Sequence, residues 1–518
     1  MTDHSAQLRE RLAHLMDLRG AGALLQWDQQ TMMPPRGGFA RAESLATLQR
    51  ISHELFVSPE TGRLLQAAAE GLDADAPDSD DACLVSVTRR QWEKARRVPT
   101  DLAADLARAA SVGQEAWVHA RAESDFEAFA PYLERNLELA RRYVDCFHCT
   151  DAPEGSDVLG GFECAYDVLL DDYEPQMRTG QVAALFGELR DQLVPLIRSA
   201  GELSGRVDDS CLHGKFPVEL QRRLVEDVVK LMGFEAQGWR MDDAVHPFAT
   251  AIGRDDVRIT TRWEESYFAS GLYGAMHECG HGLYEAGIDS TLQRTPLGQG
   301  ESLGLHESQS RLWENMVGRG RPFSSALAPR IAELFGGSLA ELEPDVLYRA
   351  VNRVKPSLIR VEADEATYGL HIVLRFELEQ ELIEGRLAVR DLPEAWNARC
   401  SEYLGLQVPD DARGVLQDVH WSAGLIGYFP TYAIGNLIAA QLWERAHVDL
   451  PGLDERIAAG ELAPLREWLR DRVHRHGAKF TSTALLERVA GEPIAVAPFV
   501  AYLKRKLGDV YGMHASAL

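Results

Sequence analysis

A helical period governs almost the whole of this chain, and one stretch departs from it. Segments such as AADLARAASVGQEAWVHARAE and ALFGELRDQLVPLIRSAGEL repeat apolar residues at helical spacing and are built from good helix formers. The exception is HPFATAIGRDDVRITTRW. There Val257 and Ile259 alternate with Arg258 and Thr260 behind a Gly-Arg-Asp-Asp turn, which predicts a short hairpin ahead of a helix. The fold class expected is therefore mainly α, large and helical, with one small β-sheet. A length of 518 residues would allow three domains. No internal repeat and no long low-complexity tract divides it, so a single catalytic unit over 1–518 is expected. The acidic connector GLDADAPDSDDA, residues 71–82, sets apart an N-terminal helical subregion, 1–70.

Charge excludes several partners. Lys and Arg number 54 against 79 Asp and Glu, a formal balance of −25. Nucleic acid and anionic lipid both need clustered cations to displace counterions, so neither is an expected partner. Seven cysteines (Cys83, Cys146, Cys149, Cys164, Cys211, Cys279, Cys400) are scattered and odd in number, which fits a reducing, cytoplasmic compartment and no disulfide framework. Cys146 and Cys149 have CxxC spacing without a second ligand pair and read as two helix-end thiols. The start, MTDHSAQLRERLAHL, lacks the pattern of a secretory signal. Leu425 to Trp443 is uncharged for 19 residues, but Pro430, Asn436 and Gln441 interrupt it, so it reads as a buried core segment and not a membrane span.

His277-Glu278-Cys279-Gly280-His281 is an HExxH sequence. With 16 His in 518 positions, about 0.5 His pairs at this spacing arise by chance, and requiring Glu after the first lowers that to ~0.03. Phe268, Leu272, Ala275, Cys279 and Leu283 form an apolar helical stripe, with both histidines well round from it and Gly287 as a helix stop. Two imidazoles one turn apart can share one Zn²⁺, and the Glu beside the first can reach the water that the metal activates. A catalytic zinc takes a third protein ligand. Tyr284 and Gly287 stand where a metzincin needs Gly and His, so that continuation fails. Glu285, Asp289, Glu301, His306 and Glu307 remain. SLGLHESQSRLWENMVG resumes a helical pattern with Glu307, Arg311 and Glu314 at spacings of four and three, and Glu307 is the choice, Glu301 the second.

A His₂Glu site with an open position implies metal-assisted hydrolysis, with Glu278 taking a proton from water and delivering it to the leaving amine. Peptide bonds are the expected substrate. The developing oxyanion needs further donors, and QDVHWSAGLIGYFPTY offers His420, Tyr428 and Tyr432.

Together these residues resemble the carboxypeptidase Taq family of zinc metallocarboxypeptidases, over most of the chain. Asp256-Val-Arg-Ile-Thr260 is similar to its DxRxT pattern, HECGH to its zinc helix, and His306-Glu-Ser-Gln309 to its HESQ segment. Ile359-Arg-Val-Glu-Ala-Asp364 matches IRxxAD, and Gly414 to Trp421 matches GxxQDxHW. WDQQTMMPPRG, YDVLLDDYEP and His246-Pro-Phe248 also look like family features. The resemblance implies a fold like that of neurolysin and angiotensin-converting enzyme, with a deep groove, a sheet edge beside the zinc helix and N-terminal helices partly covering the groove. It implies His277, His281 and Glu307 as metal ligands, Glu278 as general base, broad release of C-terminal residues with proline disfavoured, and a homodimer. Zinc is the expected cofactor, and Co²⁺ or another divalent ion can substitute on such ligands.

An exopeptidase must also recognise a free terminal carboxylate, for which a guanidinium is well suited. Arg258 and Arg360 are the candidates, in motifs where the resemblance places substrate contacts, with His246, His420, Tyr428 and Tyr432 lining the site. Three other readings compete. One is an endopeptidase or dipeptide-releasing enzyme on the same zinc chemistry. The second is a di-iron carboxylate protein using Glu278 with His281 and Glu444 with His447. The third is a peptide-binding protein without activity.

Overall fold

A computed structural model describes residues 3–147 and 161–512, so Cys149 lies outside the described residues. The chain forms two compact units, each assembled from separate stretches. The first takes residues 1–95, 208–351 and 438–493, and the second 96–207, 352–437 and 494–518. Both are mainly helical.

The first unit begins with helices Asp3–Thr31, Gly38–Val57 and Pro59–Glu70. Leu8, Leu12 and Leu15 pack with Phe56, Leu64, Leu65, Leu84, Ile288, Leu292 and Leu297 into one buried cluster. The acidic connector is shorter than expected. Asp80 and Asp81 form the first turn of a helix starting at Asp80, where carboxylates oppose the positive end of the helix dipole, and the Ser79 hydroxyl accepts from Ala82 N–H.

This unit also holds the one sheet among the described residues, three strands in the order β1-β3-β2: β1 Trp239–Asp243, β2 Ala249–Gly253 and β3 Asp256–Thr261. β2 and β3 make the expected hairpin, antiparallel and irregular between Ala251 and Gly253, where it approaches the Arg254-Asp255 turn. β1 lies parallel to β3, with Arg240 opposite Arg258. The sequence reading missed it. Val257 and Ile259 are fully buried, and the helix Phe268–Gly287 lies over them. Gly282 allows this approach, because a Cβ there would stand 2.4 Å from the Trp239 ring and 2.8 Å from Val257. The Thr261 hydroxyl donates to Gly271 C=O at 2.9 Å and fixes the helix start on the strand.

In the second unit, helices Phe126–Asp145, Thr179–Leu203, Glu365–Ile383 and Ala497–Tyr511 supply most of the core. The helix Glu365–Ile383 is buried on nearly every face, including Arg375 and Glu379. The uncharged run ahead of Trp443 is indeed core. It starts a helix at Pro430 in which Ala433, Ile434 and Leu437 of this unit are fully buried, as are Ile438 and Ala439, which count with the first. No described helix is long and apolar enough to cross a membrane.

Candidate metal centre

The HExxH segment lies mid-helix within Phe268–Gly287, so His277 and His281 stand one turn apart on one face. The next helix, Leu303–Arg311, is capped by the Ser302 hydroxyl, which accepts from Leu305 N–H, and it runs on into a π-helical turn over Leu312–Gly318. It crosses the first helix at Gly280. A Cβ on Gly280 would stand 2.8 Å from both Gln309 C=O and Ser310 Cα, so only glycine lets the two backbones meet here. That approach carries Glu307 to the histidines: its Oε2 lies 3.4 Å from His281 Nε2 and 3.6 Å from His277 Nε2. Among the described residues, these three form the one group of His, Cys, Asp or Glu side chains arranged to hold a metal ion.

The far nitrogens settle which way the rings are protonated. His277 Nδ1 stands 2.9 Å from Glu314 Oε2, a carboxylate that can only accept, so Nδ1 carries the proton. His306 Nε2 donates to Glu285 Oε1 at 2.9 Å, which leaves His306 Nδ1 to accept from His281 Nδ1–H at 2.6 Å. Both Nε2 atoms thus face a carboxylate oxygen. Against burial, Glu307, Glu314 and Glu278 raise the His277 pKa, so this corner attracts a cation, and a metal ion can stand where a proton on Nε2 otherwise would. At metal–nitrogen distances of about 2.0 to 2.1 Å, a tetrahedral ion separates its ligands by roughly 3.4 Å. The donor set therefore fits a divalent metal, and the Glu314 and His306 contacts are those that orient ligating imidazoles.

Charge is arranged around this point. Arg311 donates to Glu307 Oε1 at 2.7 Å, and Arg319 to Glu314 Oε1 at 3.0 Å. Burial raises the Glu307 carboxyl, but Arg311, His277 and His281 outweigh it and hold the group well below its usual range. Burial likewise raises Glu314, which His277, Arg319 and Arg311 then hold low. Glu278 differs. Burial, reinforced by Glu307 and Glu314 and opposed by His277, pushes its carboxyl up to about 7. A carboxylate poised near neutrality beside a metal-binding triad is suited to move protons.

A second cluster of expected site residues lies in the second unit. The Arg360 Nε donates to Asp418 Oδ1 at 2.9 Å, and Arg375 takes the other oxygen, Oδ2, at 2.5 and 2.7 Å. Arg360 also donates to Tyr368 OH at 2.9 Å and lies over the Tyr432 ring. Against burial, the two guanidiniums hold Asp418 far below the carboxylate range. His420 meets Tyr432 OH through Nε2 at 3.2 Å and packs beside Tyr428 and Phe429. Burial, with Arg360 and Arg375 nearby, lowers its pKa to about 3, so the ring is neutral.

Comparison with known proteins is decisive at this point. The family of carboxypeptidase Taq (M32) metallopeptidases matches residues 7–507. The chain belongs to the M32 family. Thermostable carboxypeptidase 1 of Thermus thermophilus is 43% identical over 495 residues, 96% of each chain, and carboxypeptidase 1 of Bacillus subtilis is 36% identical over 97% of each. The crystal structure of M32 carboxypeptidase from Deinococcus radiodurans R1 superposes with a TM-score of 0.92 at 39% identity, covering 99% of this chain and all of that one. This M32 chain is a metallocarboxypeptidase, a peptide hydrolase, and its helical fold with one small sheet is that of the family.

The structure distributes the expected site residues unevenly. His277, Glu278, His281 and Glu307 come together in the first unit; Arg360, His420, Tyr428 and Tyr432 share a cluster in the second. Arg258 does not present a free fork, since its Nε and a terminal nitrogen donate to Asp256 at 2.8 and 2.9 Å. Its guanidinium, with that of Arg240, stacks on Trp27 from the WDQQ segment. His246 is exposed in the loop between β1 and β2. Glu301 stands outside the triad, and Glu285 supports His306. Glu444 and His447 form no second metal group, because the His447 nitrogens face Trp443 C=O and Asp454, so the di-iron reading falls. His474 is buried and neutral: its Nε2 meets Gln309 Oε1, and burial with His306 nearby lowers it to about 3. Sequence reasoning missed Arg375 and Asp418. Asp418 stands in the QDxHW motif and was open to being found, whereas Arg375 is one arginine among four glutamates on a helix, with no motif around it.

Proposed function

We propose that His277, His281 and Glu307 hold one zinc ion, for which cobalt can substitute, and that the enzyme removes single C-terminal residues from peptides with a free carboxylate. The convergence of two imidazole Nε2 atoms and a carboxylate oxygen carries this reading. Zinc bound there supplies a Lewis acid for the scissile carbonyl and for water. The chain's own groups do the rest. Glu278 takes a proton from the attacking water and returns it to the leaving amine, a role that suits a carboxyl near neutrality. Glu314 and His306 keep the two imidazoles in the tautomer that leaves Nε2 free.

His420, Tyr428 and Tyr432 are the donors proposed for the oxyanion, as neutral polar groups already packed in place. For the terminal carboxylate Arg360 is preferred to Arg258. Arg258 is paired one to one with Asp256, whereas Arg360 and Arg375 share a single salt-bridge partner, Asp418, out of water. His246 is a lining residue at most. Broad specificity with C-terminal proline disfavoured, a homodimer and a cytoplasmic location complete the reading. The first two rest on family resemblance, and the last is supported by the six described cysteines all being free thiols.

Chelation followed by zinc or cobalt reconstitution tests the assignment, on one peptide with a free and an amidated C-terminus, beside Glu278→Gln. Activity should vanish on chelation, return with metal, and stay lost in E278Q despite a full metal load. An amidated peptide cleaved equally well would establish endopeptidase action instead. Alanine at both Arg258 and Arg360 without change in kcat/KM would remove them as carboxylate anchors.

A further inference from the structure

The chemistry proposed above gives no task to Glu379, a carboxylate in the helix Glu365–Ile383 with no solvent exposure. It accepts three hydrogen bonds. Tyr166 OH donates at 2.6 Å, Trp421 Nε1–H at 2.7 Å and Gly427 N–H at 3.1 Å. Trp421 directly follows His420, and Gly427 directly precedes Tyr428. One side chain therefore pins both ends of the turn that separates these two groups.

The surroundings make the turn intolerant of other positions. Gly427 has φ +89°, and a Cβ there would stand 2.8 to 2.9 Å from the backbone of Leu169 and Leu170, so the loop lies flush on the end of the helix Ala165–Leu170. Three residues beyond that helix, Tyr173 meets the Tyr428 ring edge-on at 5.1 Å, and Trp396 meets Trp421 in the same manner. Tyr166 and Tyr173 both come from the YDVLLDDYEP segment, which this contact set explains. Three donors require a partner that only accepts, which an ionised carboxylate provides and an amide does not. Burying it is unfavourable, and burial pushes the group up to about 7 in spite of its donors and Arg375. An apolar side chain would fill the same space without that penalty, so the group's value lies in orientation.

We propose that Glu379 is a positioning residue, which fixes the turn between Trp421 and Gly427 and thereby the presentation of His420 and Tyr428 to the substrate, without touching the substrate itself. This rests on the reading of His420 and Tyr428 as transition-state donors. Steady-state kinetics of the zinc-loaded enzyme test it. In Glu379→Gln the amide must set its NH₂ against a donor, either Trp421 or the Tyr166–Gly427 pair. The turn then shifts, and kcat should fall by about tenfold or more while KM stays within about twofold and zinc content is unchanged. Trp421→Phe, which deletes one of the two loop-side bonds and leaves that from Gly427, should reproduce the fall at least in part; Tyr166→Phe, on the side away from the loop, should leave kcat within about threefold. Glu379→Asp, which keeps the charge, should recover part of the loss.

A Glu379→Gln enzyme with a lowered Tm and unchanged kcat would overturn the inference and leave Glu379 a structural group only. If E379Q does not fold, an undiminished kcat in W421F overturns it equally. His420→Ala and Tyr428→Phe are assayed alongside. If both leave kcat unchanged, it is the reading of these donors that fails. If both lower it while E379Q and W421F do not, the positioning role alone fails.

Discussion

Gly280→Ala isolates the contact on which the candidate metal centre depends. The added Cβ would sit 2.8 Å from Gln309 C=O and Ser310 Cα, about 0.6 Å inside the range of ordinary carbon contacts, and both neighbours are backbone that no rotamer change can clear. The helices must separate, and Glu307, two residues before Gln309, moves with its helix. Overpacking of this kind destabilises by about 1 to 3 kcal/mol. Its functional effect should be larger than that figure suggests. Metal–ligand distances tolerate about 0.2 Å, so a shift of roughly three times that at one of three ligands should weaken metal binding by about 10- to 100-fold. Gly274→Ala on the same helix is the control. Its nearest neighbour would be Thr261 Oγ1 at 3.6 Å, so the methyl fits, and replacing a helical glycine should leave stability equal or raised by up to about 1 kcal/mol. Competition with a chromophoric chelator measures the affinities, and thermal unfolding the stabilities. A Gly280→Ala protein that binds metal as tightly as the parent would refute the argument that helix approach at Gly280 sets the Glu307 geometry.

Three further outcomes follow from the same contacts. Glu314→Gln removes the charge behind His277, and metal affinity should fall by about 10- to 100-fold with the protein still folded; equilibrium dialysis checks this. Adding zinc to chelated protein should raise unfolding free energy by about 2.7 kcal/mol at a free concentration one hundred times Kd, and Glu307→Gln should lose most of that gain in the same calorimetric scan. His371, fully buried, is lowered to about 3 by burial and by Arg375 and Arg360. Unfolded it titrates near 6.5, so between these values only the unfolded chain takes up the proton, and stability falls as pH drops, by about 1.4 kcal/mol per pH unit. Urea unfolding of His371→Gln between about pH 6 and 4 should show a slope smaller by that amount, and an unchanged slope would mean that the ring is protonated in the fold.

What the sequence disclosed depended on how far each feature reaches along the chain. The β2–β3 hairpin was legible because alternation at Val257 and Ile259 and the turn before them are local. β1 was not, because the alternation in Trp239-Arg-Met-Asp242 is only four residues long with no turn marking it as a hairpin, and its partner β3 lies beyond β2 in the chain and pairs with it in parallel. HExxH is likewise local, and Glu307 followed from a helical pattern resuming downstream. The partners of the imidazoles were harder. Glu314 was noticed only as a spacing, and the His281–His306–Glu285 chain joins residues separated by turns that no periodicity describes. The arginines show the limit most plainly. A guanidinium in a motif says that the group is needed, but whether its fork faces substrate or an aspartate depends on neighbours. Asp256 engages Arg258 from two residues away, and Asp418 engages Arg360 from 58.

The global charge of −25 opposes an anionic substrate terminus, and the two clusters answer it differently. Around the triad, Glu278, Glu307 and Glu314 face Arg311 and Arg319, a formal balance of −1 when all are ionised; one divalent ion turns it to +1. In the second unit, Arg360 and Arg375 share one salt-bridge partner, Asp418, and so leave +1 at the guanidiniums with no ion at all; Glu379, also near Arg375, offsets this when ionised, and burial keeps His371 and His420 from adding to it. The first positive charge is therefore conditional on metal, and the second depends on none. Removing metal should abolish turnover yet leave affinity for a free C-terminal carboxylate largely intact. Arg360→Ala should do the reverse to the binding step, raising the inhibition constant of a product amino acid in metal-free and metal-loaded enzyme alike. If chelation weakened product binding as much as Arg360→Ala does, the carboxylate would be held by the metal and not by the arginine pair.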